Sequence, residues 1–186
     1  MEDTFSKNIS ELMEEILNIF NGFTVWKSLK KSEYNKLYNE YKYFWGIVIY
    51  SLQVEFLLGT AKLFEKRAKN DVFSIFYLLD SLPKSKEKEK VEEEINTFNR
   101  VIKNLIIWRH NMLAHHNIFF TLNPGELFKK FPIKEDEMEN LVGLLEKILG
   151  MIHSAGTKKR QVYTFKLVND ESKSETENII KKLIGK

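Results

Sequence analysis

Trp108-Arg109-His110-Asn111-Met112-Leu113-Ala114-His115-His116-Asn117 closes an apolar helical run and holds one arginine and three of the four histidines of a 186-residue chain. Upstream of it, Phe98, Val101, Leu105, Trp108, Met112 and His115 recur at alternating steps of three and four. The stretch therefore reads as the end of a long helix starting near Val91, with an apolar seam that finishes on a histidine. A guanidinium and an imidazole on one surface are the minimum equipment for cleaving a phosphodiester without a metal, because the first stabilises negative charge and the second moves protons near neutral pH. On an ideal helix, which turns about 100° per residue, Arg109 and His116 lie within roughly 20° of each other, while His115 lies about 120° from Arg109. Geometry within one helix thus favours His116. His115 continues the line of Trp108 and Met112, and belongs at a two-fold interface if that line faces a second copy.

Outward from this stretch, the composition is that of a globular chain, with 43% hydrophobic and 30% charged residues. Three prolines and eight glycines leave room for long helices. A net charge of +3 permits an anionic partner without demanding one. Without cysteine there is no disulfide framework or thiolate metal site, which suits a cytoplasmic location. Met1-Glu2-Asp3-Thr4 does not resemble a secretory leader, and the most apolar segment, 43–61, is interrupted by Gln53 and Glu55, so a buried helix is expected there and no membrane span.

In chain order, Phe5, Ile9, Leu12, Met13, Ile16, Leu17 and Phe20 make one face of a helix over 3–20 that Asn21-Gly22 is expected to end. Ser32 can cap a second helix reaching about Lys69, whose middle, 44–58, is apolar around much of its circumference and is expected to be the most buried element. Asn70 or Asp71 then caps a short helix that stops before Pro83, and the alternating charges of 84–94 read as a solvated face. Asn123-Pro124-Gly125 reads as a turn and Phe131-Pro132 as a break. An amphipathic helix follows over 134–155, then an extended segment over 161–168 and a last helix over 171–184. The expected fold is all-α: a bundle of four main helices with short extra helices and an extended C-terminal segment. One domain over 1–186 is expected, with its core at about 32–155 and a C-terminal extension over 156–186.

The quoted stretch resembles the HEPN superfamily, whose hallmark is an arginine followed, after four to six residues, by a histidine near the end of a bundle helix, often with a polar residue directly after the arginine. Here five residues separate Arg109 from His115, six separate it from His116, and His110 fills the polar slot. The closer likeness is to the branch associated with abortive infection of phage-infected bacteria, the AbiU-like branch. Its members show Arg-x-Lys-x-x-Ala-His-x-Asp, preceded by helices resembling Gly59-Thr60-Ala61-Lys62-Leu63-Phe64 and Ser74-Ile75-Phe76-Tyr77-Leu78-Leu79. The resemblance spans roughly 40–155. It aligns Ala114-His115 with the family's Ala-His, while Asn111 and Asn117 stand where lysine and aspartate are usual.

The resemblance implies a homodimeric, metal-independent endoribonuclease of a prokaryotic antiviral defence or toxin-antitoxin system, cleaving RNA by 2′-hydroxyl attack. Arg109 and His115 would be catalytic, with His110, Asn111 and His116 binding substrate or supporting the pair. No cofactor and no metal are implied, and the histidines lack the paired spacing of zinc helices. The alternative is a non-catalytic HEPN module that binds a nucleotidyltransferase-like partner or antitoxin, RNA or a nucleotide. The plainer readings are an ion pair of Arg109 with an acid such as Glu55 and histidines that close a helix C-terminus. Trp108, Phe119 and Phe120 can stack on bases but suit packing better, and Lys129, Lys130 and 158–160 offer a short basic cluster that is usually just solvated.

Overall fold

Ile9, Leu12, Ile16, Ile19, Phe20, Phe23, Trp26 and Leu29 are all buried on one face of the first helix, α1 (Glu2–Leu29). The helix thus passes straight through Asn21-Gly22, where the sequence led us to expect its end. The computed structural model, which describes residues 2–66, 73–114, 124–157 and 161–185, shows why. The Asn21 side chain is taken up by the Ser172 hydroxyl at 2.8 Å, and Phe23, Trp26 and Phe56 form an aromatic cluster with ring centroids 5.2–5.8 Å apart. A Cβ on Gly22 would lie 3.6 Å from that of Phe56, an ordinary van der Waals contact, so this position packs against the cluster like any other helix residue. Burial of three aromatic rings outweighs the roughly 1 kcal/mol helix penalty of one glycine.

The second expected helix is three pieces. A 3₁₀ turn at Ser32–Tyr34 and α2 (Asn35–Glu40) end at Tyr41 (φ −118°, ψ 47°), after which α3 runs over Lys42–Leu63. The bend folds Tyr34 and Leu37 into a small core with Leu29, Trp45 and Ile180. Packed against this core, the partly buried Tyr38 donates its hydroxyl to the Leu29 carbonyl, and desolvation pushes its pKa up to about 12. The first half of α3 overturns the expectation of deepest burial. Tyr43, Phe44, Ile47 and Tyr50 are 83%, 60%, 67% and 54% exposed, leaving an apolar face uncovered in the single chain. By length and composition α3 is also long and apolar enough to cross a membrane.

Further along, Ser74 caps α4 (Ile75–Ser81) by accepting from Tyr77 N at 3.3 Å, and Ser85 caps α5 (Lys86–Thr97) by accepting from Lys88 N at 3.2 Å. The cap of α4 is therefore Ser74; Asn70 and Asp71 lie outside the described residues. The long helix expected from Val91 breaks at Phe98 (φ −101°, ψ 10°), and α6 resumes over Asn99–Trp108. Pro124 opens a helix instead of only turning the chain: α7 spans Pro124–Lys130, with proline at its first position, where its missing N–H costs no hydrogen bond. α8 (Glu135–Thr157) takes the central place intended for α3, burying Met138, Leu141, Val142, Leu144, Leu145, Ile148, Leu149 and Ile152. α9 spans Lys166–Leu183, so the final helix starts five residues before Glu171, the start read from the sequence.

The fold is all-α, and no strand occurs among the described residues. The chain divides into two compact units, one of residues 1–16 and 57–163, the other of 17–56 and 164–186. In the second unit α9 is tied to α1 by Thr24 donating to Asn169 at 3.0 Å and to the α1–α2 link by a Lys31–Glu177 ion pair at 2.5 Å. The Lys31 hydrogen bond holds the Glu177 carboxyl below its ordinary range.

In the first unit α5 and α8 pack side by side, with Lys147 and Glu94 paired at 2.5 Å. The extended residues 161–163 do lie on α8. Gln161 N donates to Ser154 Oγ at 3.2 Å, and a Cβ on Gly150 would stand 2.9 Å from the Gln161 carbonyl oxygen. That neighbour is backbone and cannot rotate away. Gly150→Ala should therefore lower stability by about 1–3 kcal/mol despite alanine's better helix propensity, a loss readable as a lower thermal midpoint. A midpoint equal to or above wild type would show that 161–163 shifts freely.

Candidate functional site

Trp108 fixes the end of α6. Its indole is buried, donates Nε1–H to the Phe131 carbonyl at 2.8 Å and meets the Phe128 ring edge-on at 5.0 Å. Asn104 and Arg100 both donate to the Pro132 carbonyl, at 2.9 and 3.2 Å. The Phe131-Pro132 break therefore supplies acceptors that strap one side of α6. Trp108 is a packing residue, as its place in the seam suggested. Phe119 and Phe120 lie outside the described residues.

Beyond Trp108 the helix changes pitch: Arg109–Ala114 forms a π-helical turn. Such turns widen the helix so that hydrogen bonds run from i to i+5, and they are often found at functional sites. At the start of this turn the Asn111 side chain folds back on the helix, donating Nδ2–H to Ile107 O at 2.8 Å. Asn111, expected from the resemblance to bind substrate or support the pair, thus engages its own helix. The same widening invalidates the 100° step that favoured His116 over His115. Both histidines, like Asn117 and the basic residues 158–160, lie outside the described residues.

Arg109 and His110 meet a carboxylate that the sequence reading did not select. Arg109 Nη1 donates to Glu65 Oε2 at 2.6 Å, and His110 Nε2 stands 3.6 Å from Glu65 Oε1. The Arg109 side chain is 25% exposed and that of Glu65 21%, so the pair is half-buried yet open to solvent. Glu65 takes the role offered to Glu55. It sits two residues past the end of α3, where Glu65 N donates to Lys62 O at 3.2 Å and the adjacent Phe64 ring is fully buried. The signal available in the sequence was position, since Glu65 directly follows the block Gly59–Phe64 that carried the family likeness.

The arrangement offers a planar set of guanidinium donors at a solvent-facing position, a carboxylate that orients it, and an imidazole on the other oxygen of that carboxylate. Such a fork matches phosphate oxygens, and an imidazole can move a proton. Among the described residues no group of three histidine, aspartate or glutamate side chains could hold a metal ion. Glu65 and His110 also form part of the wall of a cleft of about 730 Å³ against α4, α5 and α6. A larger groove, about 820 Å³, runs between α5, α8 and 161–163 and contains no residue of the arginine stretch. Lys129 and Lys130 are engaged locally, the first with Glu126 at 3.0 Å and the second over the Phe131 ring.

A family model described as AbiU2, of the HEPN type, matches residues 2–177. No curated protein matches the chain, and no solved structure does.

Proposed function

Because the chain belongs to the AbiU2 family of HEPN proteins, we propose that it is a metal-independent endoribonuclease of a prokaryotic defence or toxin-antitoxin system. The observation that carries the proposal is the family match across a chain whose Arg109 stands partly exposed on a π turn, its guanidinium aligned by Glu65. In the reaction the ribose 2′-oxygen attacks its own phosphate. A 2′-O–P bond forms and the P–O5′ bond breaks, leaving a 2′,3′-cyclic phosphate and a 5′-hydroxyl. One basic group accepts the 2′-hydroxyl proton and one acid gives a proton to O5′. Arg109 stabilises the charge on the pentacoordinate phosphate and His115 exchanges the protons, with His110 and His116 able to hold phosphate beside them. We place the protein in the cytoplasm as a homodimer, and the uncovered apolar face of α3 supports a second copy.

The test is incubation of the purified protein with single-stranded and transfer RNA in chelator. Cyclic-phosphate ends are expected with wild type and are expected to vanish with His115→Ala. Cleavage at the wild-type rate by both His115→Ala and Arg109→Ala would end the proposal.

One observation favours the second reading, a non-catalytic module that binds a nucleotidyltransferase-like antitoxin, RNA or a nucleotide. Glu65 already neutralises the Arg109 guanidinium. That reading predicts a co-purifying partner and intact RNA under every condition.

A further inference from the structure

The cleft beside Glu65 and His110 differs in character from the phosphate site it adjoins. Its apolar lining includes Phe76 and Ile106, both partly open, and the buried Ile102. Its rim carries the exposed amides of Asn96, at the end of α5, and Asn99, at the start of α6. The charged groups on its wall are three carboxylates, Glu65, Asp80 and Glu92, against two lysines, Lys66 and Lys103. With Glu65 matched by Arg109, the remaining two carboxylates balance the two lysines, so the cleft has no excess positive charge to draw a chain of phosphates and suits a neutral heterocycle. Amides present a donor and an acceptor side by side, the complement of a base edge, and a partly open phenyl ring offers a stacking surface. About 730 Å³ is ample for one nucleoside.

We infer that this cleft is a nucleobase subsite, holding the base of the nucleotide whose phosphate meets Arg109. The inference rests on the ribonuclease reading of the same site. Glu65 and His110 belong to both regions, so a nucleotide with its phosphate at the guanidinium has its base within reach of the cleft. Lys66 now stands over the Phe76 ring, 5.0 Å from its centroid. As an exposed side chain it can swing aside for a stacked base at small cost.

Calorimetric titration with the four nucleoside 3′-monophosphates and with ribose 5-phosphate, at one salt concentration, tests this. At least one nucleotide should bind about tenfold more tightly than ribose 5-phosphate, the order of effect expected of base stacking. The double variant Asn96→Ala/Asn99→Ala should bring that nucleotide to within about twofold of ribose 5-phosphate while leaving ribose 5-phosphate itself unchanged. Both asparagines are exposed and Asn99 caps no helix by its side chain, so the variant should keep the wild-type melting temperature. Arg109→Ala should weaken every ligand. Ribose 5-phosphate binding as tightly as all four nucleotides would overturn the base subsite and leave the phosphate site standing. Failure of all five ligands to bind would overturn both.

Discussion

Arg109→Ala is expected to slow RNA cleavage by about 10²- to 10³-fold, the usual effect of removing one donor aimed at developing negative charge. Arg109→Lys should recover little of it, because an ammonium keeps the charge but not the planar fork that can grip two phosphate oxygens at once. A loss of activity could also come from a damaged fold, since Arg109 holds Glu65 at 2.6 Å. Removing one member of a half-buried pair leaves the other charge without its partner. The double variant Arg109→Ala/Glu65→Ala removes both, so its melting temperature should return toward wild type while cleavage stays lost. Recovery of cleavage in the double variant would show that Arg109 serves only to neutralise Glu65, and the catalytic role would be wrong.

Phe44→Glu combined with Ile47→Glu should convert a dimeric protein to a monomer. These two side chains are 60% and 67% exposed in the single chain, beside Tyr43 and Tyr50. Burying a large apolar side chain contributes about 1.5–3 kcal/mol, so losing two from an interface weakens association by about 10²- to 10⁴-fold, before the cost of burying two carboxylates is added. Light scattering or sedimentation across a concentration series reads the change directly. Because neither side chain is buried in the chain itself, the thermal midpoint measured at dilution should stay near wild type. A wild-type protein that remains monomeric at the highest concentration would remove the second copy from this face. Co-sedimentation of the wild type with lipid vesicles would then identify the face as a membrane contact.

Helical periodicity located most of the elements and the helix that carries Arg109, because the apolar seams of α1, α6 and α8 are written in steps of three and four. It failed where a local signal competed with distant packing. Asn21-Gly22 reads as a stop only until Ser172 and Phe56, 151 and 34 residues away, are brought to it. The apolar circumference of α3 was legible, but whether a neighbour covers it is not a property of that segment's sequence. The same holds for the carboxylate beside Arg109. Glu55 and Glu65 are ten residues apart, about 15 Å along an ideal helix, and only the crossing of helices decides which one reaches the guanidinium. Ser74 and Ser85 cap α4 and α5, and neither was selected from the sequence, because a capping side chain is identified only once the first turn it serves is placed.

The wide turn at Arg109–Ala114 has a consequence for how such proteins are compared. A π turn accommodates one residue more than the α turn it replaces, so Ala114, five after Arg109, stands in the register an α-helix would give to the fourth. Counting residues between an arginine and the histidine that follows it therefore overstates their separation by one wherever the helix is widened between them. Two gaps that differ by one residue need not describe two geometries. A helix that can swallow or release a residue at this point keeps a single spatial arrangement through insertions and deletions that an alignment would score as damage.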